Sequence, residues 1–356
     1  MFTNNEISWI RTEVKNSEQT KAISERLLTF IINKQLFKLF LPQTLGGAML
    51  PLSDAIRTFQ HCSYIDGTFG WLVTIGSGGG MFAPNFTEQA ATAFYTPEDA
   101  VIAGSGFPAG IAKEVEGGYI VNGEWHYCSG SQYATIFTAT AKLNAEDNTK
   151  LLSFIFSPEQ VEVIEDWDAM GLKGTSSHTI RITEQFVPTY RTFSIFKKQY
   201  QLKDSIYDFP FIPFSQASFT AIVLGIGEHY LEETKAIFQE KSSVWQTDRL
   251  TFTTNVLKTA TEKMNQAKAM FYHQLDSLWK QHTDKNTITK KQQKAFSTCC
   301  KNTVSTILEG TDKLFRLIGM QAVKETSIIN RIWRDLHTAS QHAFLMPQNE
   351  ADLESF

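Results

Sequence analysis

Three stretches of the chain carry side chains whose types and spacing could bind or react. Residues 123–134, GEWHYCSGSQYA, set Trp125, His126, Tyr127, Tyr133, Ser129 and Ser131 close together in a run that otherwise alternates like a β-strand. Aromatic rings favour burial, and hydroxyls buried beside them need partners. Such a strand either forms a domain core whose hydroxyls satisfy one another, or faces a ligand that is flat, apolar on its face and polar at its edge. Residues 174–178, GTSSH, place Thr175 and Ser177 after a glycine. Short hydroxyl residues there let backbone N–H groups approach an anion or a ring edge, and a plain turn before a strand is the bland alternative. Near the C-terminus, RDLHTASQH (334–342) spaces Asp335, Thr338 and His342 along one face of a predicted helix. Histidine titrates nearest neutrality, so His342 is a candidate base. A surface histidine favoured by the helix-end dipole would look the same.

The elements that must position these residues fall into three groups by periodicity. From about Glu18 to Leu41, the apolar residues Ala22, Ile23, Leu27, Leu28, Ile31 and Ile32 recur at helical spacing until LPQTLGG breaks the pattern. A second helical stretch over 52–82 has Ser53 and Asp54 as its start signal, and 87–95 reads as a further short helix. From Ala100 to about Phe196 the texture is β. AKEVEGGYIVNGEWHYCSG is a hairpin signal around Gly117 and Gly118. TIFTATAKL and KLLSFIFS flank the turn-forming NAEDNT, and VEVIEDW and TIRITEQFVP follow with the same alternation. These short strands predict a small barrel or sandwich. From about Phe214 the helical period returns: Leu257, Ala260, Met264, Ala267, Phe271, Leu275 and Leu278 form one bundle stripe, and Phe296, Cys300, Val304, Ile307 and Leu314 another. The expected fold is α+β, with an α-helical domain over 1–100, a β domain over 101–200 and a helix bundle over 201–356.

Composition removes several classes of partner. A net charge of −4 and 42% hydrophobic residues give no reason to expect nucleic acid or an anionic membrane. MFTNNEISWIRTEVKN carries charges where a signal peptide needs an apolar core, and no run of about 18 apolar residues occurs. Cys62, Cys128, Cys299 and Cys300 lack metal-ligand spacing. Adjacent Cys299 and Cys300 sit in a helical pattern, where they read as small buried hydrophobes. The expectation is a cytoplasmic protein without a bound metal.

The order of helices, β insert and bundle, together with four motifs in sequence, resembles the acyl-CoA dehydrogenase superfamily over nearly the whole chain. LFKLFLPQTLGG (36–47) is similar to the end of the family's N-terminal helix, and GGYIVNGEWHYCSG (117–130) to its β-domain motif. WDAMGLKGTSSHTIRI (167–182) resembles the segment before the last strands, and RIWRDLHTASQH (331–342) the final helix. The resemblance implies a β-barrel or sandwich between an α-helical domain and a four-helix bundle, commonly a homotetramer, with a flavin (FAD or FMN) between the β domain and the bundle. It implies that Trp125 packs near the flavin ring and that Ser129 and the backbone of Gly130 bond to its edge. Thr175 and Ser177 would contact the same cofactor. In TDRLTF (247–252), Arg249 and Phe252 match the family's Arg-x-x-Phe-Gly, whose Arg reaches the cofactor phosphates across a subunit contact; Thr253 replaces the Gly.

Departures from the family pattern bear on the reaction. Dehydrogenases of this family carry their catalytic Glu eight residues after the Asp of the final helix, but residue 343 here is Ala, and no carboxylate follows until Glu350. A minority bring the Glu from an earlier helix, which keeps Glu228 and Glu232 as candidates. The usual acidic motif before the β domain is replaced by AGSGFPAGIA (103–112). These features look more like the superfamily's two-component monooxygenases. Those take reduced flavin from a separate reductase, work by C4a-hydroperoxide chemistry, and hydroxylate phenols or oxidise N or S atoms, with residues at the positions of Ser129 and His342 flanking the peroxide. A phenol of pKa about 10 benefits from a base titrating near neutrality, and a Ser donor in a dry pocket would slow loss of peroxide. The expected function is therefore a reduced-flavin monooxygenase acting on a small apolar or aromatic substrate, with a flavin reductase as transient partner. An acyl-CoA dehydrogenase is the alternative. A non-catalytic flavin-fold binding protein is a further one, because SQY (131–133) differs from the Cys-Asp-His-like run common in the monooxygenases.

Overall fold

The structure, a computed structural model, describes residues 2–144 and 147–346; part of the NAEDNT turn and Glu350 lie outside them. Helix α1 (Asn4–Thr20) opens on a capping box, in which the Thr3 hydroxyl accepts from the Glu6 amide and the Glu6 carboxylate accepts from the Thr3 amide. Helix α2 (Glu25–Asn33) begins at Ser24, whose side chain accepts from the Leu27 amide. The single helix expected from Glu18 to Leu41 is thus interrupted, because Lys21 turns the chain with φ 56. The stretch expected as one helix over 52–82 is also divided, into α3 (Leu52–Ile65) and α4 (Gly67–Gly78). Asp66 breaks it: its backbone is extended, and its carboxylate accepts from the amides of Thr68 and Phe69, starting α4 afresh. Helix α5 (Glu88–Tyr95) starts at N-cap Thr87.

The strands are β1 (Ile102–Val115), β2 (Gly118–Cys128), β3 (Ile136–Asn144), β4 (Asp147–Phe156), β5 (Glu162–Ile164), β6 (His178–Pro188) and β7 (Thr192–Phe193). They form one sheet of order β5-β6-β2-β1-β3-β4-β7, antiparallel except between β1 and β3. The expected hairpin turns at Glu116 and Gly117, where Gly117 takes φ 81. Inward side chains of five strands, Val121, Trp125, Phe137, Phe154 and Ile180 among them, share one apolar core, so the sheet curls around its own interior.

The bundle contains α6 (Phe211–Glu240), α7 (Thr247–Thr283), α8 (Lys290–Ile318), the short α9 (Met320–Val323) and α10 (Ile328–Ser340). Helix α6 is long and apolar enough to cross a membrane by length and composition, but 83% of its most apolar stretch is buried within the fold. It is the central helix of the bundle and packs on α3, α8 and α10. On α7 the stripe is buried at Met264, Phe271, Leu275 and Leu278 and half-buried at Leu257, Ala260 and Ala267, and on α8 the whole stripe is buried. One core runs from α1, α3 and α4 into the bundle, while all four cysteines are buried and free. Of the sequence-derived site residues, Ser129, Thr175, Ser177 and His342 gather where α4, α6, the end of α10 and the ends of β2 and β6 converge.

Candidate active site

Strand β2 reaches the site through a bulge. Trp125 stands opposite Ile180 and Cys128 opposite His178, so three steps on β2 match two on β6. The irregularity reverses the side-chain alternation. Trp125 points into the barrel and is only 1% exposed; its Nε1–H donates to the Thr140 carbonyl at 2.8 Å. Its ring lies so close to Gly110 that a Cβ there would stand 2.3 Å from Cζ2. Trp125 therefore has no face left for a cofactor, contrary to the sequence expectation. Tyr127 is the aromatic on the outside: 76% exposed, with left-handed φ 63, its ring edge-to-face with Trp167 at 6.3 Å.

Beyond the bulge, the hydroxyls of both motifs form a continuous row. Trp71 on α4 donates Nε1–H to Ser129 Oγ at 2.8 Å, and Ser129 Oγ lies 2.7 Å from Ser177 Oγ. Ser177 Oγ is 2.7 Å from Thr175 Oγ, and Thr175 donates to the Leu172 carbonyl at 2.8 Å. Ser129 and Ser177 are nearly buried and Thr175 is fully so, which puts Thr175 behind the row rather than at its exposed end. Gly130, with φ 80, makes the turn, but its N–H donates to the Thr175 carbonyl at 2.8 Å. The expected bond from the Gly130 amide to a ligand is thus replaced by one that ties the two motifs together. The 171–177 loop is anchored from α10, where the Asp335 carboxylate accepts from the Leu172 amide at 2.5 Å. Burial, with Asp66 beside it, raises the Asp335 carboxyl to about 7. Arg331 pairs with Asp66 at 3.0 Å in the same buried cluster.

His342 lies two residues past the end of α10 rather than on its face. Its ring stacks on Phe219 of α6, with centroids 3.4 Å apart, and stands 6.0 Å from Trp71 and 5.4 Å from Phe344. Trp71 thus touches both Ser129 and His342, which are far apart in sequence. Burial pushes the His342 pKa down to about 4, so the base titrating near neutrality that the sequence suggested is a neutral imidazole instead. Its Nδ1 faces the Phe344 amide at 3.4 Å, which assigns the proton to Nε2.

The remaining candidates lie elsewhere. Glu228 accepts from Gln60 and Lys268, each at 2.6 Å, and Glu232 accepts from Tyr64 and pairs with Arg11 at 3.3 Å. Both carboxylates belong to ion networks between α6 and its neighbours. Arg249, at the start of α7, lies over the Trp245 ring at 4.0 Å; among the described residues it makes no hydrogen bond or ion pair with the Ser129 group. Among the described residues, buried polar atoms of His178 and Gln216 near the cluster lack partners. His178, next to Ser177, accepts from the Trp167 amide through Nδ1 at 3.0 Å, leaving an unpartnered Nε2–H. Gln216 donates to Ser297 and to the Phe344 carbonyl, leaving Oε1 unpartnered. A flat ligand with polar edges fits these features: an exposed aromatic surface, a hydroxyl at the end of a row, and an orphaned buried donor. Trp71 and Phe219 were not singled out from sequence, and Tyr127 entered only as part of its motif. Only the one-residue bulge separates Tyr127 from the position assigned to Trp125, and no local signal marks Trp71 or Phe219.

Residues 217–347 match the family model described as acyl-CoA dehydrogenase, C-terminal domain. An indole-3-acetate monooxygenase of Pseudomonas putida is 24% identical over 340 residues, covering 94% of this chain and 87% of the relative. The crystal structure of 3-HSA hydroxylase from Rhodococcus sp. RHA1 superposes with a TM-score of 0.90 at 19% identity, covering 98% of this chain and 92% of that one. XiaF from Streptomyces sp., in complex with FADH2 and glycerol, superposes with a TM-score of 0.79 at 20% identity over 99% and 95% of the two chains.

Proposed function

We propose that this chain belongs to the acyl-CoA dehydrogenase superfamily and is the oxygenase of a two-component flavin monooxygenase acting on a small aromatic substrate. The observation that carries the reading is the cluster in which Trp71 joins Ser129 to His342, while the carboxylates that a dehydrogenase would use as base are engaged in ion pairs elsewhere. The likeness to an indole-3-acetate monooxygenase over nearly the full length supports the same chemistry. When bound, a reduced flavin supplies the electrons that activate dioxygen.

The chain's own residues bind, orient and exclude water. Ser129 would meet the polar edge of the flavin, Tyr127 would offer it an aromatic surface, and the His178 Nε2–H would supply a donor. Ser177 and Thr175 support Ser129 from behind. Phe219, Trp71 and Phe344 make an apolar aromatic wall that suits a ring-shaped substrate and excludes water. His342, neutral and carrying its proton on Nε2, donates to a polar atom of the substrate, and Gln216 Oε1 accepts an O–H or N–H from it. Arg249 of a neighbouring copy would hold the phosphate end of FAD or FMN, in a cytoplasmic homotetramer whose three domains would be 1–100, 101–200 and 201–356.

The test is purified protein with NADH, a flavin reductase, FMN or FAD, and a panel of phenols and indoles. Oxygenated product that depends on this chain supports the reading. Reduction of bound flavin by an acyl-CoA would replace it with a dehydrogenase, and absence of flavin binding would replace it with a non-catalytic role.

A further inference from the structure

Three separate pieces of chain that build the site meet at one buried side chain outside it. Asp335 on α10, only 3% exposed, accepts from the Leu172 amide of loop 171–177 at 2.5 Å. It also presses on the first turn of α4, where a Cβ added at Gly67 would stand 3.0 Å from the Asp335 Cβ and 3.2 Å from its Oδ2. The loop lies as close to α10, since a Cβ at Gly171 would stand 2.2 Å from the Arg334 carbonyl oxygen. Each of these elements carries a group of the site. Trp71, one turn beyond Gly67 on α4, touches Ser129 and His342. The loop leads to Ser177, and His342 follows the last turn of α10. The charges around Asp335 do not balance. Arg331, also on α10, pairs with Asp66 at 3.0 Å and donates to the Val14 carbonyl at 3.2 Å. The Asp66 carboxylate is already bonded to the amides of Thr68 and Phe69. From α1, Glu18 pairs with Arg334 at 2.6 Å and with Lys173 of the loop at 3.5 Å, and Glu233 of α6 acts electrostatically on Arg331. One guanidinium therefore serves two buried carboxylates. With Asp335 protonated the inner cluster is balanced; with Asp335 ionised it holds an unmatched negative charge beside Asp66, where little solvent screens it.

We infer that Asp335 is a positioning residue whose protonated form clasps α4, α10 and loop 171–177 together, and that its ionisation loosens the clasp and shifts Trp71 against Ser129 and His342. The effect on turnover rests on the oxygenase reading above; the clasp stands on the junction alone. Burial and Asp66 push the Asp335 carboxyl up from 3.8 to about 7. A carboxyl whose pKa is raised in the closed state favours that state fully below about 3.8, and the preference is lost as pH rises from there through about 7. Between pH 6 and pH 9 the part still to be lost amounts to one pH unit of titration, so opening of the clasp becomes about tenfold more frequent. His342, driven down to about 4, is neutral throughout this range and cannot supply the change. An alkaline limb in oxygenation would therefore belong to Asp335, a residue that touches neither substrate nor cofactor.

The experiment is hydrogen exchange and NMR on the flavin-free full chain from pH 6 to pH 9, for the wild type, Asp335→Asn and Asp335→Ala. In the wild type, exchange of the 171–177 amides, corrected for its intrinsic dependence on pH, should accelerate by about tenfold across the range. The Trp71 indole N–H signal, assigned by its absence in Trp71→Phe, should shift with a midpoint at about 7. Asp335→Asn keeps an oxygen for the Leu172 amide and cannot ionise, so both readouts should stay at their pH 6 values. Asp335→Ala loses the acceptor as well and should exchange fast at every pH, which separates the proton from the contact. With an oxygenated substrate in hand, kcat/KM should lose its alkaline limb in Asp335→Asn. Flat corrected exchange and a fixed Trp71 signal in the wild type would overturn the inference whether or not the variants fold. An unchanged midpoint in Asp335→Asn would overturn it too. Either result leaves the oxygenase reading standing, whereas failure to bind flavin would remove that reading and leave the clasp.

Discussion

The protonation state of His342 can be tested without knowing the substrate. An exposed histidine titrates at 6.5, and burial against Phe219 and Trp71 pushes His342 to about 4. That displacement corresponds to roughly 3 kcal/mol favouring the neutral form. Because the folded-state pKa lies below the unfolded one, the stabilisation is complete above about 6.5 and is lost as pH falls from there through about 4. His342→Phe keeps a ring stacked on Phe219 and removes the titration. The stability difference between wild type and His342→Phe should therefore change by roughly 3 kcal/mol between pH 7 and pH 4, with the wild type losing more. The direct assay is the NMR titration of the His342 Cε1–H, assigned by its absence in the variant. Oxygenation should show no limb between pH 6 and 7 that disappears with His342. An imidazole titrating near 6.5, or parallel stability curves for the two proteins, would refute the burial argument and restore a near-neutral base.

Other expectations follow from named contacts. Trp125→Ala should cost about 3–5 kcal/mol through the cavity left in the β-barrel, and Trp125→Phe about 1–3 kcal/mol through the unpaired Thr140 carbonyl. In denaturant melts both losses should appear, with flavin affinity of the folded protein unchanged. Glu228→Gln and Glu232→Gln should leave product formation within about twofold and stability within about 1 kcal/mol, because each breaks only a partly exposed ion pair; abolished turnover would return the dehydrogenase mechanism. Asp335 has its pKa raised by burial and by Asp66 from 3.8 to about 7, so the stability present below about 3.8 is lost as pH rises from there through about 7. Asp335→Asn should accordingly gain melting temperature over wild type at pH 8 and gain less at pH 5, whereas the opposite order would contradict the buried-cluster account. Light scattering at micromolar concentration should give a tetramer, and a monodisperse monomer would exclude the assembly.

The sequence carried the broad order of the molecule because periodicity is set by local geometry. The 87–95 helix, the Gly117 turn and the α7 and α8 stripes follow from side-chain spacing and turn chemistry alone. Helix boundaries were less legible. Lys21 and Asp66 break stretches of continuous helical period, since a capping carboxylate or a left-handed residue overrides apolar spacing. Strict alternation along β2 assigns Trp125 and Tyr127 to one face, but the bulge sends them to opposite faces. His342 likewise left its expected helix face because α10 ends at Ser340. Family resemblance singled out Ser129, Ser177 and Thr175, yet the row they form depends on loop 171–177 being pinned by Asp335, a contact across 163 residues of chain. The indole of Trp71 that links Ser129 to His342 is a tertiary meeting with no counterpart in local sequence.

The proposed reaction is transfer of an oxygen atom from dioxygen to an aromatic substrate by this chain with reduced flavin. The most direct test is to mix the protein, anaerobically loaded with reduced flavin, with ¹⁸O₂ and a panel of phenols and indoles, and to read the products by mass spectrometry. The expected result is a product carrying one atom of ¹⁸O from dioxygen, with less hydrogen peroxide formed than flavin oxidised. Full conversion of the reduced flavin to peroxide, with no labelled product from any member of the panel, would contradict it.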